Sequence, residues 1–202
     1  MKANINTVLK TSSGSTVLVP YRKEHVEIYH AWMQDPFLQE MTASEPLSID
    51  EEYAMQESWA VDEGKCTFIV LDSLEPTNRV GRSSTFGGMI GDVNLYLTTP
   101  KTAEIEIMIA EPHARGKGHG KTALLLMMHY AYRVLGITEL FARVSDVNVS
   151  SLRLFQKSLG FVVTEPSNYF KETTLAVRGE EIAKALGQLA DVEEGTFNEV
   201  LT

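Results

Sequence analysis

The chain has 202 residues, 44% of them hydrophobic, and 27 acidic against 18 basic side chains leave a net charge of −9, a surface that repels nucleic acid over most of its area. A single cysteine, Cys66, excludes an intrachain disulfide framework and any multi-cysteine metal site. No run approaches the roughly 18 apolar residues of a membrane span and the N-terminus lacks a signal-peptide core, so no membrane association is expected, and the expected address is cytoplasm, or nucleus.

In chain order, residues 7–9 and 16–21 read as two strands around a turn-rich 10–15, which predicts a hairpin. Val26, Ile28, Tyr29, Trp32 and Met33 recur at helical spacing and predict a helix over 24–34, with Asp35 as its stop signal before Pro36. The polar stretch 41–47 reads as a connection. Ser48 and Glu51 form a capping-box pattern that starts a second helix running through Tyr53, Met55 and Trp59. Residues 67–71 make a compact strand, and 72–88 a long loop rich in Pro, Asn, Gly and Ser, of the kind that is mobile or inserted.

The next two segments alternate. Ile90, Asp92, Asn94 and Tyr96 fall on one side of a strand and Val93, Leu95 and Leu97 on the other. Over 104–110, Glu104, Glu106 and Met108 share a face opposite Ile105, Ile107 and Ile109. The short turn between them predicts an antiparallel hairpin. A basic, glycine-rich turn at 115–121 then opens into a helix that ends at Gly136. Beyond it come a strand over 140–145, a helix starting at Ser150 or Ser151 and stopping at Gly160, a strand from Phe161 and a last strand over 169–177. Residues 178–202 form an acidic tail, helical around 182–189 or disordered, so the domain is placed at 1–177.

Strand, glycine turn, helix is the order that makes an anion site, because the first N–H groups of a helix lack partners and carry the positive end of its dipole. Gly120, Lys121 and Thr122 match the tail of a P-loop, but the first glycine of that motif would fall on Arg115. The alternative is Arg-x-x-Gly-x-Gly, carried by Arg115, Gly118 and Gly120, which resembles the pyrophosphate loop of the Gcn5-related N-acetyltransferases (GNAT). A second stretch decides between them. Asn148, Ser151, Phe155, Gly160 and Phe161 are spaced like that superfamily's motif after its fifth strand, and a P-loop enzyme has no use for it. Shorter stretches, among them 18–21, 42–47, 65–72 and 108–112, resemble the N-acetyltransferase 9 subfamily.

The resemblance implies an α/β fold with a twisted mixed sheet of about seven strands and helices on both faces, splayed between the fourth and fifth strands. It implies acetyl-coenzyme A as cosubstrate, no metal, and acetyl transfer to an amine of a protein or peptide, with tubulin the acceptor attributed to the subfamily. By it, Arg115, Gly116, Lys117, Gly118, His119, Gly120 and Lys121 form the pyrophosphate loop. Met108, Ile109 and Ala110 offer backbone to the pantetheine arm. Asn148, Ser151 and Phe155 line the arm or the acetyl group.

An amine must be neutral to attack. At pH 7 that costs about 4.6 kcal/mol for a lysine of pKa about 10.4, and about 1–1.4 kcal/mol for an α-amine near 7.7–8.0. Glu106 ranks first as base, ahead of Glu104 and Asp92, because it is nearer the expected cleft. Phe155 stands where many family members place a tyrosine acid for the departing thiolate, so either the thiolate leaves unassisted or the chain is a noncatalytic protein- or microtubule-binding factor on the same scaffold. Oligomeric state has no signature in the sequence.

Overall fold

The structure is a computed structural model that describes residues 2–12, 14–74, 88–167 and 169–197. Among the described residues nine strands make one sheet: β1 (Thr7–Lys10), β2 (Thr16–Pro20), β3 (Lys65–Asp72), β4 (Gly88–Thr99), β5 (Thr102–Ile109), β6 (Glu139–Ser145), β7 (Val162–Glu165), β8 (Glu172–Arg178) and β9 (Glu193–Thr196). Their order is β7-β8-β6-β5-β4-β3-β2-β1-β9. Helices α1 (Val26–Trp32), α2 (Pro36–Thr42) and α3 (Ile49–Val61) lie on one face, and α4 (His119–Arg133) and α6 (Gly179–Leu186) on the other. Every residue of β3 is buried: Phe68 and Val70 join the core with α4, and Ile69 and Leu71 the core with α1. Two covered faces follow from the period of two.

The expected hairpins are present. Leu9 pairs with Leu18 across β1 and β2, and Asn94 with Glu106 across β4 and β5. The one parallel contact in the sheet positions the site: β5 and β6 pair only through Thr102, Ala103 and Glu104. From Ile105 onward the two strands part, which opens the cleft between them.

Several elements differ from the sequence reading, each for a local reason. Asp35 does not merely end α1. Its carboxylate accepts from the Phe37 N–H at 2.9 Å and caps α2, with Pro36 in the first turn, so α2 takes two residues of the expected 41–47 connection. The Ser48–Glu51 capping box is present as expected, with the Ser48 N–H donating to Glu51 Oε2 at 2.8 Å. Ile90 leaves its expected side: a bulge against Val70 and Leu71 turns it into the core with Val93 and Leu95, while Asp92 and Asn94 keep the other face. The expected 72–88 loop lies, over 75–87, outside the described residues.

The helix after β6 is capped by Asn148, not by a serine, because Asn148 Oδ1 accepts from the Ser151 N–H at 3.1 Å. This helix, α5 (Val149–Arg153), continues as a π-helical turn over Leu154–Ser158. The acidic segment after 177 carries α6 and then β9, which pairs antiparallel with β1 from Thr7 to Lys10. Residues Glu193–Thr196 have no apolar side chain to announce a strand. Phe197, 4% exposed and under the Arg22 guanidinium at 4.3 Å, anchors them, a burial worth about 1.5–3 kcal/mol.

Candidate active site

Two cavities meet at Asn148 and Ser151, where β5 and β6 have parted. One, of about 360 Å³, runs along Ile109, Gly116, Gly118, Gly120, Lys121 and Leu154. The other, of about 670 Å³, has Glu104, Glu106 and Met108 on its floor and reaches Tyr29, Trp59 and Phe155.

At the glycine end the backbone does the shaping. Gly116 and Gly118 have φ of +74° and +96°, and a Cβ at either would meet nothing within 4 Å, so these residues are required for conformation and leave open space beside the chain. Thr122 N–H closes back on the Gly118 carbonyl at 3.0 Å and starts α4. Arg115 is used internally: its Nε and one terminal nitrogen donate to the carbonyls of Ile109 and Ala110 at 2.9 and 2.8 Å, which ties the loop to the end of β5. Ala110 N–H donates to the Ile90 carbonyl, so the backbone of Ala110, expected to face a ligand, is already engaged. The side chain of His119 does not face the loop's concave side either. It is 6% exposed, 2.9 Å from Thr16 Oγ1 and 3.3 Å from Asp72 Oδ2, and it fixes the start of α4 to β2 and β3. Lys117 is exposed and Lys121 half-buried, and Lys121 lines the smaller cavity.

At the other end side chains do the shaping. Asp92 is buried and enclosed: Asn94 Nδ2 donates to it at 2.7 Å and the Tyr29 hydroxyl at 3.4 Å, and Thr67 in turn holds Asn94 at 2.6 Å. Burial pushes its carboxyl up to about 6. Glu104 is taken by Arg143 at 2.8 Å, although burial still raises its carboxyl. Glu106 is exposed to the cavity, whose lining surrounds it. Desolvation, then Glu104 and Asp92, push it up to about 7, while Lys65 and a hydrogen bond from Tyr96 pull the other way. Of the three carboxylates expected as base candidates, this geometry leaves only Glu106 without a fixed cationic or enclosing partner.

Asn148 and Ser151 come together as expected, but the Asn148 carbonyl is occupied as a cap, accepting also from the Ser150 hydroxyl at 3.0 Å. Phe155 packs edge to face on Phe161 at 4.9 Å, only 2% exposed, and closes one end of the larger cavity. Cys66 is buried, its thiol pushed up to about 12, as suits a packing residue.

Comparison with known proteins turns this geometry into an assignment. Residues 16–162 match the acetyltransferase (GNAT) domain family. The chain is 48% identical to an N-acetyltransferase 9-like protein of Nematostella vectensis, over 85% of this chain and 86% of that one. It is 44% identical to the alpha/beta-tubulin-N-acetyltransferase 9 of Homo sapiens, over 98% and 97%.

The chain belongs to the GNAT acetyltransferase family.

The spermidine N-acetyltransferase of Vibrio cholerae, solved in complex with CoA and spermine, superposes on this GNAT chain with a TM-score of 0.71 at 18% identity, over 84% of this chain and 98% of that one. At that identity the likeness carries the fold. The mixed sheet with helices on both faces therefore stands; the strands part between β5 and β6 where the fourth and fifth were expected, and the enzyme class, an N-acetyltransferase, rests on the family match and the relatives. The sheet has nine strands where about seven were expected, β9 being the one without a sequence signal. Tyr96 and Arg143, which line the larger cavity, and Lys65, which packs on Tyr96, carry no site role in the sequence analysis. Tyr96 already shared a side with Asp92 in the alternation. Lys65 and Arg143 sit on strands whose register with β4 and β5 no spacing reveals.

Proposed function

We propose that this N-acetyltransferase uses acetyl-coenzyme A and acetylates an amine of a protein, tubulin being the acceptor that its relatives' names support. The observation that carries the reading is Glu106, the open carboxylate on the cavity floor at the point where β5 leaves β6, with its pKa pushed up to about 7. When bound, acetyl-coenzyme A supplies the activated acetyl group. Gly116, Gly118, Gly120 and the first turn of α4 fit its pyrophosphate, because positive φ at two glycines turns backbone toward open space and the helix dipole favours anions. The unpaired edge of β5 beyond Glu104 fits the amides of its arm.

Glu106 accepts a proton from the acceptor's ammonium, directly or through one water, which leaves the neutral amine that attacks. A base near 7 lies within about tenfold of an α-amine of pKa 7.7–8.0 and about three orders of magnitude from a lysine of 10.4, so the site suits an α-amine better. Phe155 has no proton to give, and an ordinary thiol near 8.5 makes the departing thiolate a fair leaving group without help. Cytoplasm, where tubulin is met, suits the reading.

The test is transfer of labelled acetyl from acetyl-coenzyme A to purified tubulin. Wild-type protein should label it, with a rate that rises with pH through about 7 as Glu106 loses its proton. Glu106→Gln should be slower by about 10²–10⁴-fold. Label transfer by Glu106→Gln at the wild-type rate would remove Glu106 from the mechanism.

A further inference from the structure

Lys65 is an unusual residue for the middle of a sheet. It opens β3, is 4% exposed, and its Nζ lies 3.2 Å from the Trp59 ring centroid, 3.9 Å from that of Tyr96 and 2.5 Å from the Tyr96 hydroxyl oxygen. Taking an ammonium this far out of water is costly, and a position needed only for packing would hold a leucine or methionine. Two aromatic faces and one phenol oxygen replace its water. Burial still lowers its pKa to about 8, against the upward pull of Asp92, Glu106 and Asp62.

The register explains what the lysine does there. Lys65 stands opposite Tyr96 across β3 and β4, and Tyr96 opposite Glu104 across β4 and β5, so the three form one row across the sheet. Directly opposite Glu104, the Tyr96 hydroxyl would have two carboxylates to choose from. Arg143 on β6 holds Glu104 at 2.8 Å. An ammonium has donors and no acceptor, so the Tyr96 oxygen must accept from Lys65, and its single O–H is left to donate. Among the carboxylates Glu106 weighs most on the Tyr96 phenol, and Glu104 is already held by Arg143, so Glu106 is the acceptor left for that O–H.

We propose that Lys65 is a positioning residue for acetyl transfer: clamped between Trp59 and Tyr96, it commits the Tyr96 hydroxyl as a donor to Glu106 and so holds the base in one orientation toward the acceptor amine. This rests on the reading of Glu106 as the base. The charged and titratable groups around Glu106 are Glu104 on its own strand, Asp92 and Tyr96 on β4, and Lys65 on β3, with Arg143 acting through Glu104; Tyr29 on α1, Glu40 on α2, Glu52 on α3 and Glu172 on β8 share its cavity.

The experiment is a carbon-13 NMR titration of the Glu106 carboxyl in full-length protein labelled at glutamate, its resonance assigned by its absence in Glu106→Gln. Lys65→Met should move the midpoint up by about one pH unit, since it removes both a nearby cation and the constraint on the donor. Tyr96→Phe, which keeps the ring, should move it up as well. In the Tyr96→Phe background, Lys65→Met should add less than about half its former shift, because the part transmitted through the hydroxyl is gone. The acid limb of transfer to tubulin should follow the same midpoints, with coenzyme A binding unchanged. A midpoint unmoved by Lys65→Met, or a shift equally large without the hydroxyl, overturns the proposal. If Lys65→Met fails to fold, Lys65→Gln takes its place, and a Tyr96→Phe midpoint equal to wild type overturns the proposal without either. Activity of Glu106→Gln separates the two levels: retained activity defeats the base reading itself, whereas an inactive Glu106→Gln with an unmoved titration defeats only the role of Lys65.

Discussion

The two ends of the cleft are built on opposite principles. The glycine end is made of backbone: two positive-φ glycines, the start of α4, and an arginine and a histidine whose side chains are spent holding that backbone in place. The far end is made of side chains gathered from β3, β4, β5 and β6, whose protonation is set by one another. A binding end made of backbone tolerates change at most side chains and fails at its glycines. A reacting end made of coupled charges fails one side chain at a time and in a pH-dependent way.

Substitutions can break that contrast. Largest should be Glu106→Gln, which lowers turnover by about 10²–10⁴-fold while calorimetry finds coenzyme A binding as in wild type; a parallel loss of binding would mean the two ends are not separable. Gly118→Glu should do the reverse. It puts a side chain on a residue at φ +96° and a carboxylate where the pyrophosphate is expected, and should weaken coenzyme A by at least about tenfold, in line with a strain of about 1–3 kcal/mol plus like-charge repulsion. Gly91→Ala tests the seam between the ends. A Cβ there would fall 1.9 Å from the Met108 carbonyl, so β4 and β5 must move apart, and urea unfolding should show a loss of about 1–3 kcal/mol.

The smallest effect should come from Asp92→Asn. Its folded pKa of about 6 lies above the ordinary aspartate value, so its contribution to stability is complete at low pH and is lost as pH rises through 6. At pH 8 the buried charge counts against the fold. Asp92→Asn should therefore gain about 1–2 kcal/mol over wild type at pH 8, and that gap should close toward pH 4. An equal gain at both pH values would assign the effect to packing.

The same contrast explains what could be read from residue order. The loop, its glycines and the following helix are contiguous, so Gly118, Gly120 and the apolar run after them carried their meaning in a few positions. Alternation placed Glu104 and Glu106 on one face because a strand's period is local. Assigning side chains within the loop was harder: Arg115 and His119 have the chemistry of phosphate ligands, and only three-dimensional structure shows them bonded to Ile109, Ala110, Thr16 and Asp72. Lys65 and Arg143 were beyond reach, and so was their meeting around Tyr96, since it depends on register across four strands. β9 was also hidden, because a strand of Glu, Glu, Gly and Thr is held by main-chain pairing and by Phe197 beyond it.

That last strand has a kinetic consequence. β1 is paired by β2 on one side, and its other side finds a partner only at Glu193–Thr196, after almost all of the remaining sheet. During translation the chain therefore carries β1 with a bare edge while every intervening strand is made, a long interval in which hydrogen-bonding groups are available to the wrong neighbour. Joining the first strand to the last makes the sheet's outer seam its contact of longest range, and on a ribosome its latest.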